Sequence, residues 1–276
     1  RGGHAPVLIT FMMGTSAIII GVTIDSINGL MHLFGVLCWM LSAFFANFWR
    51  DPDRKIPQDE GVLVSPADGH VMFVRRERAT GRRPSKEELD SDLIESDNLT
   101  GPWYPEAISD PLSFATEQRF ESVPEGEESS TDVFRIAIFM SPLDVHVNRS
   151  PCAATIERME HRTGQGRRRG PFLPAMKKES EHNERVRTVL LCQDGLRIEV
   201  CQISGALART IVPWTTVGDE LRRGQRYGMI RLGSRVDVRA PAQMFTPIVE
   251  SAESDNPDLP KGQFVQAGSS ILFKRK

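Results

Sequence analysis

The stretch "YGMIRLGSRVDVRAP", Tyr227 to Pro241, alternates as a half-buried β-strand does, yet it carries Gly233-Ser234 in its interior. Glycine weakens a strand and serine adds little to a core, so the pair needs a reason. A turn or bulge is one reason. The other is that the peptide bond between them is itself the chemistry.

The same alternation recurs on both sides of this stretch. "GVLVSPADGHVMFVRRER", from Gly61 to Arg78, reads as strand, turn over Ser65 to Gly69, and strand. "DVFRIAIFM", Asp132 to Met140, is a buried strand, and "TVLLCQDGLRIEVCQIS", Thr188 to Ser204, a hairpin around Asp194-Gly195. "VDVRAP" and the final "QFVQAGSSILFKRK" add further strands. Helical periodicity is weak after residue 50. The sequence therefore predicts a mostly β (α+β) body, barrel-like or of packed sheets.

The amino end is different. Residues 5–24 contain no charged residue, and neither does Leu30 to Trp49. Each segment has the roughly 20 residues that cross a bilayer core as helix. The break holds Asp25, Asn28 and Gly29, which suit a tight helix-to-helix turn. Arg50, Arg54 and Lys55 follow, with Trp49 at the boundary as an aromatic anchor, which places the body on the cytoplasmic side of a cell membrane. The alternative is a buried hairpin in a soluble core. Two tandem segments with no small-residue cleavage site argue against a signal peptide. The expected division is a membrane-associated helical hairpin over 1–55 and a β-rich domain over 56–276. Within the latter, 85–131 is rich in Glu, Asp, Ser and Pro and reads as a mobile acidic insertion, with Trp103, Tyr104 and Phe114 as tethers.

A net charge of −2 hides an opposition between arginine clusters and that acidic stretch, so it says little about partners. Cys38, Cys152, Cys192 and Cys201 lack paired C-x-x-C spacing, which argues for reduced thiols and against structural zinc. No metal site is expected. The nucleophile-elbow, zincin, P-loop and dinucleotide-binding motifs are also missing.

Three constellations remain. In "FMSPLDVHVNRSP", Phe139 to Pro151, an extended chain would set His146 and Asn148 on one face with Asp144 close by, alongside Arg149; a surface turn with a solvated histidine is the plain alternative. Asp68 in "SPADGH" sits in a turn, with His70 two residues on. Glycines beside Arg167, Arg168 and Arg169 make a flexible segment suited to phosphate or acidic lipid head groups. Nucleic acid is not indicated, because the basic residues lack interleaved aromatics.

Taken in order, "FWRDPDRKIP", "SPADGHV", "FMSPLDVHVNR", "GPFLPAMKKESEHNER", "GALARTIV" and "YGMIRLGSRVDV" resemble the phosphatidylserine decarboxylase family in its shorter bacterial and archaeal form. The resemblance covers most of the chain. It implies a proenzyme that cuts itself between Gly233 and Ser234, leaving a pyruvoyl group derived from Ser234 at the head of a small chain that partners the large one. The serine hydroxyl attacks the preceding carbonyl, a step that needs a strained turn and a base. It further implies a Schiff base between that group and phosphatidylserine in the membrane, loss of CO2, and release of phosphatidylethanolamine.

By motif match, Asp68 corresponds to the acidic member of the self-cleavage relay, and His146 to the histidine linked to proton transfer in decarboxylation. Where longer forms have a second histidine this chain has Arg149, a poor base because it stays protonated. The expected relay is Asp68 with His146, and Asn148 and Arg149 are the expected substrate contacts. "AGSS", Ala267 to Ser270, holds a second Gly-Ser bond; Gly233-Ser234 is preferred. Homo-oligomerisation is left open. The rival readings are a membrane-anchored serine hydrolase using Ser234 as a standing nucleophile, and a lipid-binding adaptor.

Overall fold

The computed structural model of the protein describes residues 3–24, 27–84, 88–89, 95–97, 101–105, 112, 118–162, 183–205, 210–231, 233–253 and 261–276. Two compact units emerge. One holds the amino-terminal segment as far as Asp53 together with Pro142–His146; the other comprises Arg54–Ser141 and Val147–Lys276.

The first unit is a hairpin of two helices, α1 (His4–Thr23) and α2 (Asn28–Phe48), each long and apolar enough to cross a bilayer. Small residues make the seam: Gly14, Ala17 and Gly21 are the buried positions of α1, while Gly35, Cys38 and Ser42 are buried on α2. A Cβ on Gly14 would lie 2.9 Å from the Gly35 carbonyl oxygen, so the backbones are in direct contact there. Ser42 Oγ donates to the Val7 carbonyl at 2.9 Å. Close backbone approach through small residues, with a hydroxyl satisfied across the seam, is how helices associate in lipid. Leu8, Ile9, Met12, Leu33 and Met40 remain exposed on the outside. An apolar surface of this kind indicates membrane association.

Loop Pro142–His146 belongs to this unit because it fastens to the end of α2. Asn47 Nδ2 and Arg50 Nη2 donate to the Leu143 carbonyl at 3.2 and 2.9 Å, and Arg50 also bonds Asn47 Oδ1.

The second unit is β throughout. In chain order its strands are β1 (Val62–Val64), β2 (Gly69–Arg82), β3 (Glu95–Asp97), β4 (Gly101–Trp103), β5 (Gln118–Ser122) and β6 (Asp132–Met140). Then follow β7 (Val147–Arg149), β8 (Ala154–Arg162), β9 (Arg185–Cys192), β10 (Arg197–Ile203), β11 (Ile211–Pro213) and β12 (Glu220–Leu221). The last are β13 (Arg226–Ile230), β14 (Ser234–Pro241), β15 (Phe245–Pro247), β16 (Phe264–Val265) and β17 (Ile271–Arg275). The large sheet has the order β12-β8-β9-β10-β14-β6-β2-β16, with β5 added to β2. Among the described residues the smaller sheets are β1-β17-β15, β11-β13-β7 and the pair β3-β4. The expected hairpin is β9–β10, whose tip turns at Gly195 with φ 81°. Gly233 lies between β13 and β14 and Ser234 opens β14, so the alternating stretch is two strands and not one.

Both faces of the large sheet are covered. On one, Ile136, Ile138, Val186, Leu190, Ile198, Val200, Val236 and Val238 form the apolar core. On the other lies a ladder of buried ion pairs. Arg135 bonds both Asp237 and Glu77 Oε1, and Arg235 Nε reaches Asp237 Oδ1 at 2.6 Å. Arg239 bridges Glu77 at 3.1 Å and Glu199 at 2.6 Å, while Arg187 meets Glu199 at 2.8 Å. Burial alone would raise the Glu199 pKa, but Arg187 and Arg239 outweigh it and hold it at about 2. Parts of the acid-rich segment lie on this side. Leu112 and Val133 pack with Val189 and Phe120, and Arg239 stacks on the Phe120 ring at 4.6 Å. Trp103 is buried, and Arg82 stacks on Tyr104 at 4.4 Å; Phe114 lies outside the described residues. The four cysteines are free thiols, with Cys152 and Cys192 neighbours at 3.5 Å.

Candidate active site

At one end of the large sheet the parity that elsewhere carries aliphatic residues turns polar. Core-side positions of β10 run Ile198, Val200, Gln202, and those of β14 run from Ala240 back through Val238 and Val236 to Ser234. The register pairs Ser234 with Met140 and Val236 with Gln202. Ser234 is fully buried, and its Oγ donates to Met140 Sδ at 3.3 Å. A thioether is a weak acceptor, so this hydroxyl is sheltered from water without being locked in a strong hydrogen bond.

Met140 Sδ is also approached by Asn148 Nδ2 at 3.9 Å. The same nitrogen lies 3.4 Å from the Pro66 carbonyl, a long contact, while Asn148 Oδ1 accepts from Gln202 Nε2 at 2.8 Å. Ser234, Met140, Asn148 and Gln202 thus form one buried chain of contacts. Gln202 Oε1 and Ser204 Oγ beside it are buried without a hydrogen-bond partner. Each such orphan costs about 1–3 kcal/mol, so their clustering marks a place kept polar for something else.

Gly233, ahead of the serine, has φ 64°. That left-handed conformation suits glycine and few other residues, so the glycine is required by the turn.

The expected residue Asp68 sits in the Ser65–Asp68 turn, which interlocks with the Ala267–Ser270 turn. Gly268 N donates to the Ser65 carbonyl at 2.7 Å, and Ser65 N to that of Ser270 at 2.7 Å. Asp68 Oδ1 accepts from Ala267 N at 2.7 Å and Oδ2 from Arg54 at 2.6 Å. The carboxylate is buried and engaged on both oxygens. Arg149 N donates to the Pro66 carbonyl at 2.9 Å, bringing β7 to the same turn, while its guanidinium reaches the Gly224 carbonyl at 3.2 Å. The body therefore gathers Ser234, Asn148, Arg149 and the Asp68 turn around β7 and the ends of β6 and β14. In the second Gly-Ser pair, Ser269 is partly exposed, unlike Ser234.

His146 belongs to the helical unit. Its Nδ1 is 2.8 Å from the Asp144 carbonyl, and its ring lies 4.4 Å from that of Phe48. Nε2 is buried with no partner. Burial pushes the imidazole pKa down to about 4. It is therefore neutral near pH 7, as a proton acceptor must be.

The segment Arg167 to Arg169 falls outside the described residues. An open groove of about 950 Å³ lined by Ala154, Leu191, Cys192, Leu221, Arg222 and Arg223 contains none of the expected site residues.

Sequence reasoning missed Arg54, Met140 and Gln202. For Gln202 a signal existed: it is a polar residue at core parity in a strand whose preceding core positions are Ile198 and Val200. Met140 looks like ordinary core, and nothing local in the sequence ties Arg54 to Asp68.

The model of the phosphatidylserine decarboxylase family matches residues 41–273. A phosphatidylserine decarboxylase proenzyme of Erythrobacter litoralis is 37% identical over 243 residues, covering 86% of this chain and 77% of the relative. Proenzymes of the same name from Zymomonas mobilis and Thermobifida fusca are 34% and 42% identical, over 86% and 62% of this chain and 73% and 71% of their own lengths. No solved structure matches the chain significantly.

Proposed function

The chain belongs to the phosphatidylserine decarboxylase family, and we propose that it converts phosphatidylserine to phosphatidylethanolamine and CO2 after cutting its own backbone between Gly233 and Ser234. The observation that carries this reading is the left-handed Gly233 directly before a buried serine, at the polar end of a largely apolar sheet face.

In the proposed cut, Ser234 Oγ bonds to the Gly233 carbonyl carbon, the C–N bond breaks, and the hydroxyl proton passes to the freed nitrogen. The Ser234 α-proton then leaves with scission of the Cβ–Oγ bond, releasing Gly233 as a carboxylate. One water enters and one ammonia departs, and residue 234 is left as a pyruvoyl group. Its surroundings fit such a group: a dry position, a weak thioether neighbour, and the unpartnered Ser204 hydroxyl, which can donate to a keto oxygen. When present, the group supplies a keto carbonyl that takes up the substrate amine and draws electrons from the bond to the departing CO2.

The chain's own residues do the rest. Asn148, with only long contacts from its amide nitrogen, orients the substrate. Arg149 is proposed beside it, to meet a substrate carboxylate or phosphate. His146, neutral and with Nε2 free, carries the proton exchanged at the α-carbon. Asp68, fixed by Arg54 and Ala267 N, serves the cleavage relay with His146. The helical hairpin keeps the enzyme at the bilayer that holds its substrate, and a cytoplasmic body is the reading that Arg50, Arg54 and Lys55 after it support.

Intact-mass analysis of freshly purified enzyme, paired with CO2 release from phosphatidylserine vesicles, tests the proposal. Two chains, the smaller beginning at residue 234 with a blocked, carbonyl-reactive terminus, are expected. An uncut, fully active chain would rule it out, and ester turnover by that chain would favour a serine hydrolase.

A further inference from the structure

The β10–β14 register pairs Ile203 with Arg235. Continued one and two steps, it sets Ser204 across from Ser234 and Gly205 across from Gly233. Gly205 is buried. A Cβ built on it would overlap the Gly233 carbonyl oxygen and lie 2.8 Å from the carbonyl carbon. No real side chain tolerates that approach to a backbone carbonyl.

The two glycines are glycine for different reasons. Gly233 has open space where a Cβ would go, and its backbone angle demands the residue. Gly205 is not among the positive-φ glycines, so its own conformation makes no such demand. What excludes a side chain at 205 is the carbonyl of the bond that the proposed reaction breaks.

We infer that Gly205 is a positioning residue for self-cleavage: its bare Cα is the surface against which the Gly233 carbonyl is seated for attack by Ser234 Oγ. The inference rests on the proposed cut at Gly233–Ser234. The carbonyl oxygen gains charge as Oγ adds, and the line of attack is set by where that oxygen is held. A Cα hydrogen facing it adds a weak favourable contact. A methyl group there must turn or displace the carbonyl, and misplacement by about 1 Å costs on the order of 100-fold in rate. Once the bond is cut, Gly233 ends in a carboxylate no longer tethered to residue 234, and the constraint on residue 205 lapses.

The test compares full-length wild type, Gly205→Ala, Ser234→Ala and Gly81→Ala. Gly81 is the matched control, since its Cβ would lie 2.6 Å from another backbone carbonyl oxygen, that of Tyr104 in the acid-rich segment. Chains made by cell-free synthesis are followed by denaturing electrophoresis, by thermal unfolding, and by hydroxylamine, which cleaves the ester formed by the acyl shift. Gly205→Ala should fold cooperatively, cut about 100-fold more slowly, and release no fragment with hydroxylamine. Gly81→Ala should lose comparable thermal stability and cut at the wild-type rate. Whatever fraction of Gly205→Ala does cut should decarboxylate normally per mole of small chain.

The inference fails if Gly205→Ala cuts at the wild-type rate, if hydroxylamine releases 234–276 from its uncut form, or if it shows no cooperative unfolding. The last outcome would make Gly205 a folding determinant. Wild type that stays whole while active would instead overturn the cleavage reading itself, whatever Gly205 does.

Discussion

On β14, Val236, Val238 and Ala240 pack among aliphatic side chains, whereas Arg235, Asp237 and Arg239, one residue out of step, sit in ion pairs; nearly all are buried. The first face is held by area, which is non-directional and forgiving of small changes. The second is held by geometry, and removing one partner strands a charge where water cannot reach it. By parity Ser234 belongs to the first face and its neighbour Arg235 to the second. The hydroxyl proposed to react thus sits in the dry core, while the next residue is bolted to Asp237 on the other side of the sheet.

The largest effect expected from disturbing this arrangement is chemical. Ser234→Ala should abolish both processing and decarboxylation while leaving the unfolding midpoint near that of an uncut chain, since a single buried oxygen on a thioether contributes little packing. Normal cutting in this variant would remove Ser234 from the reaction. His146→Ala lies outside both faces and should lower decarboxylation by about 10²–10⁴-fold, the usual worth of a positioned proton carrier, measured as CO2 release per pyruvoyl group. Unchanged turnover would exclude it.

The faces themselves are separated by stability measurements in denaturant. Asp237→Ala leaves Arg135 and Arg235 short of their shared carboxylate and should cost about 3–5 kcal/mol. Val238→Ala, from the same strand and also fully buried, should cost about 2 kcal/mol through lost burial and a small cavity. Equal losses would erase the distinction between them.

Acid should act gradually, in two windows. His146 is depressed from 6.5 to about 4, so the unfolded chain binds the extra proton between those values, and stability falls as pH drops from 6.5 toward 4. Glu199 is depressed from 4.5 to about 2; its contribution is whole above pH 4.5 and is lost on descent toward 2. His146→Ala should flatten only the upper window and Glu199→Gln should shrink only the lower, to which Asp237 and Asp132, held low by their arginines despite burial, also contribute; each is read from denaturant midpoints across pH.

The parity of β14 was legible in "VDVRAP", and so was the β9–β10 turn at Asp194-Gly195. What that pattern could not reveal is that the charged parity is buried too. A strand of this kind reads as half exposed, and its partners Glu77 and Arg135 lie more than 90 residues upstream, on β2 and β6. Leu112 and Phe120, which line that face, come from a stretch whose composition reads as solvated. The candidate site could be named from the sequence chiefly through ordered resemblance, because Gly233-Ser234 alone reads as an ordinary turn. Gln202 was within reach of a parity argument. Met140, Arg54 and Gly205 were not, since their importance lies in contacts that only the folded sheet creates.

β14 is an interior strand, hydrogen-bonded to β10 on one side and β6 on the other. On the proposed route its first residue is converted in place, within a sheet that stays shut around it. No loose coenzyme pool could replenish a spent group, because exchanging it would mean extracting a central strand. Each polypeptide would receive its catalytic carbonyl once, and an enzyme that lost it could be renewed only by making another protein.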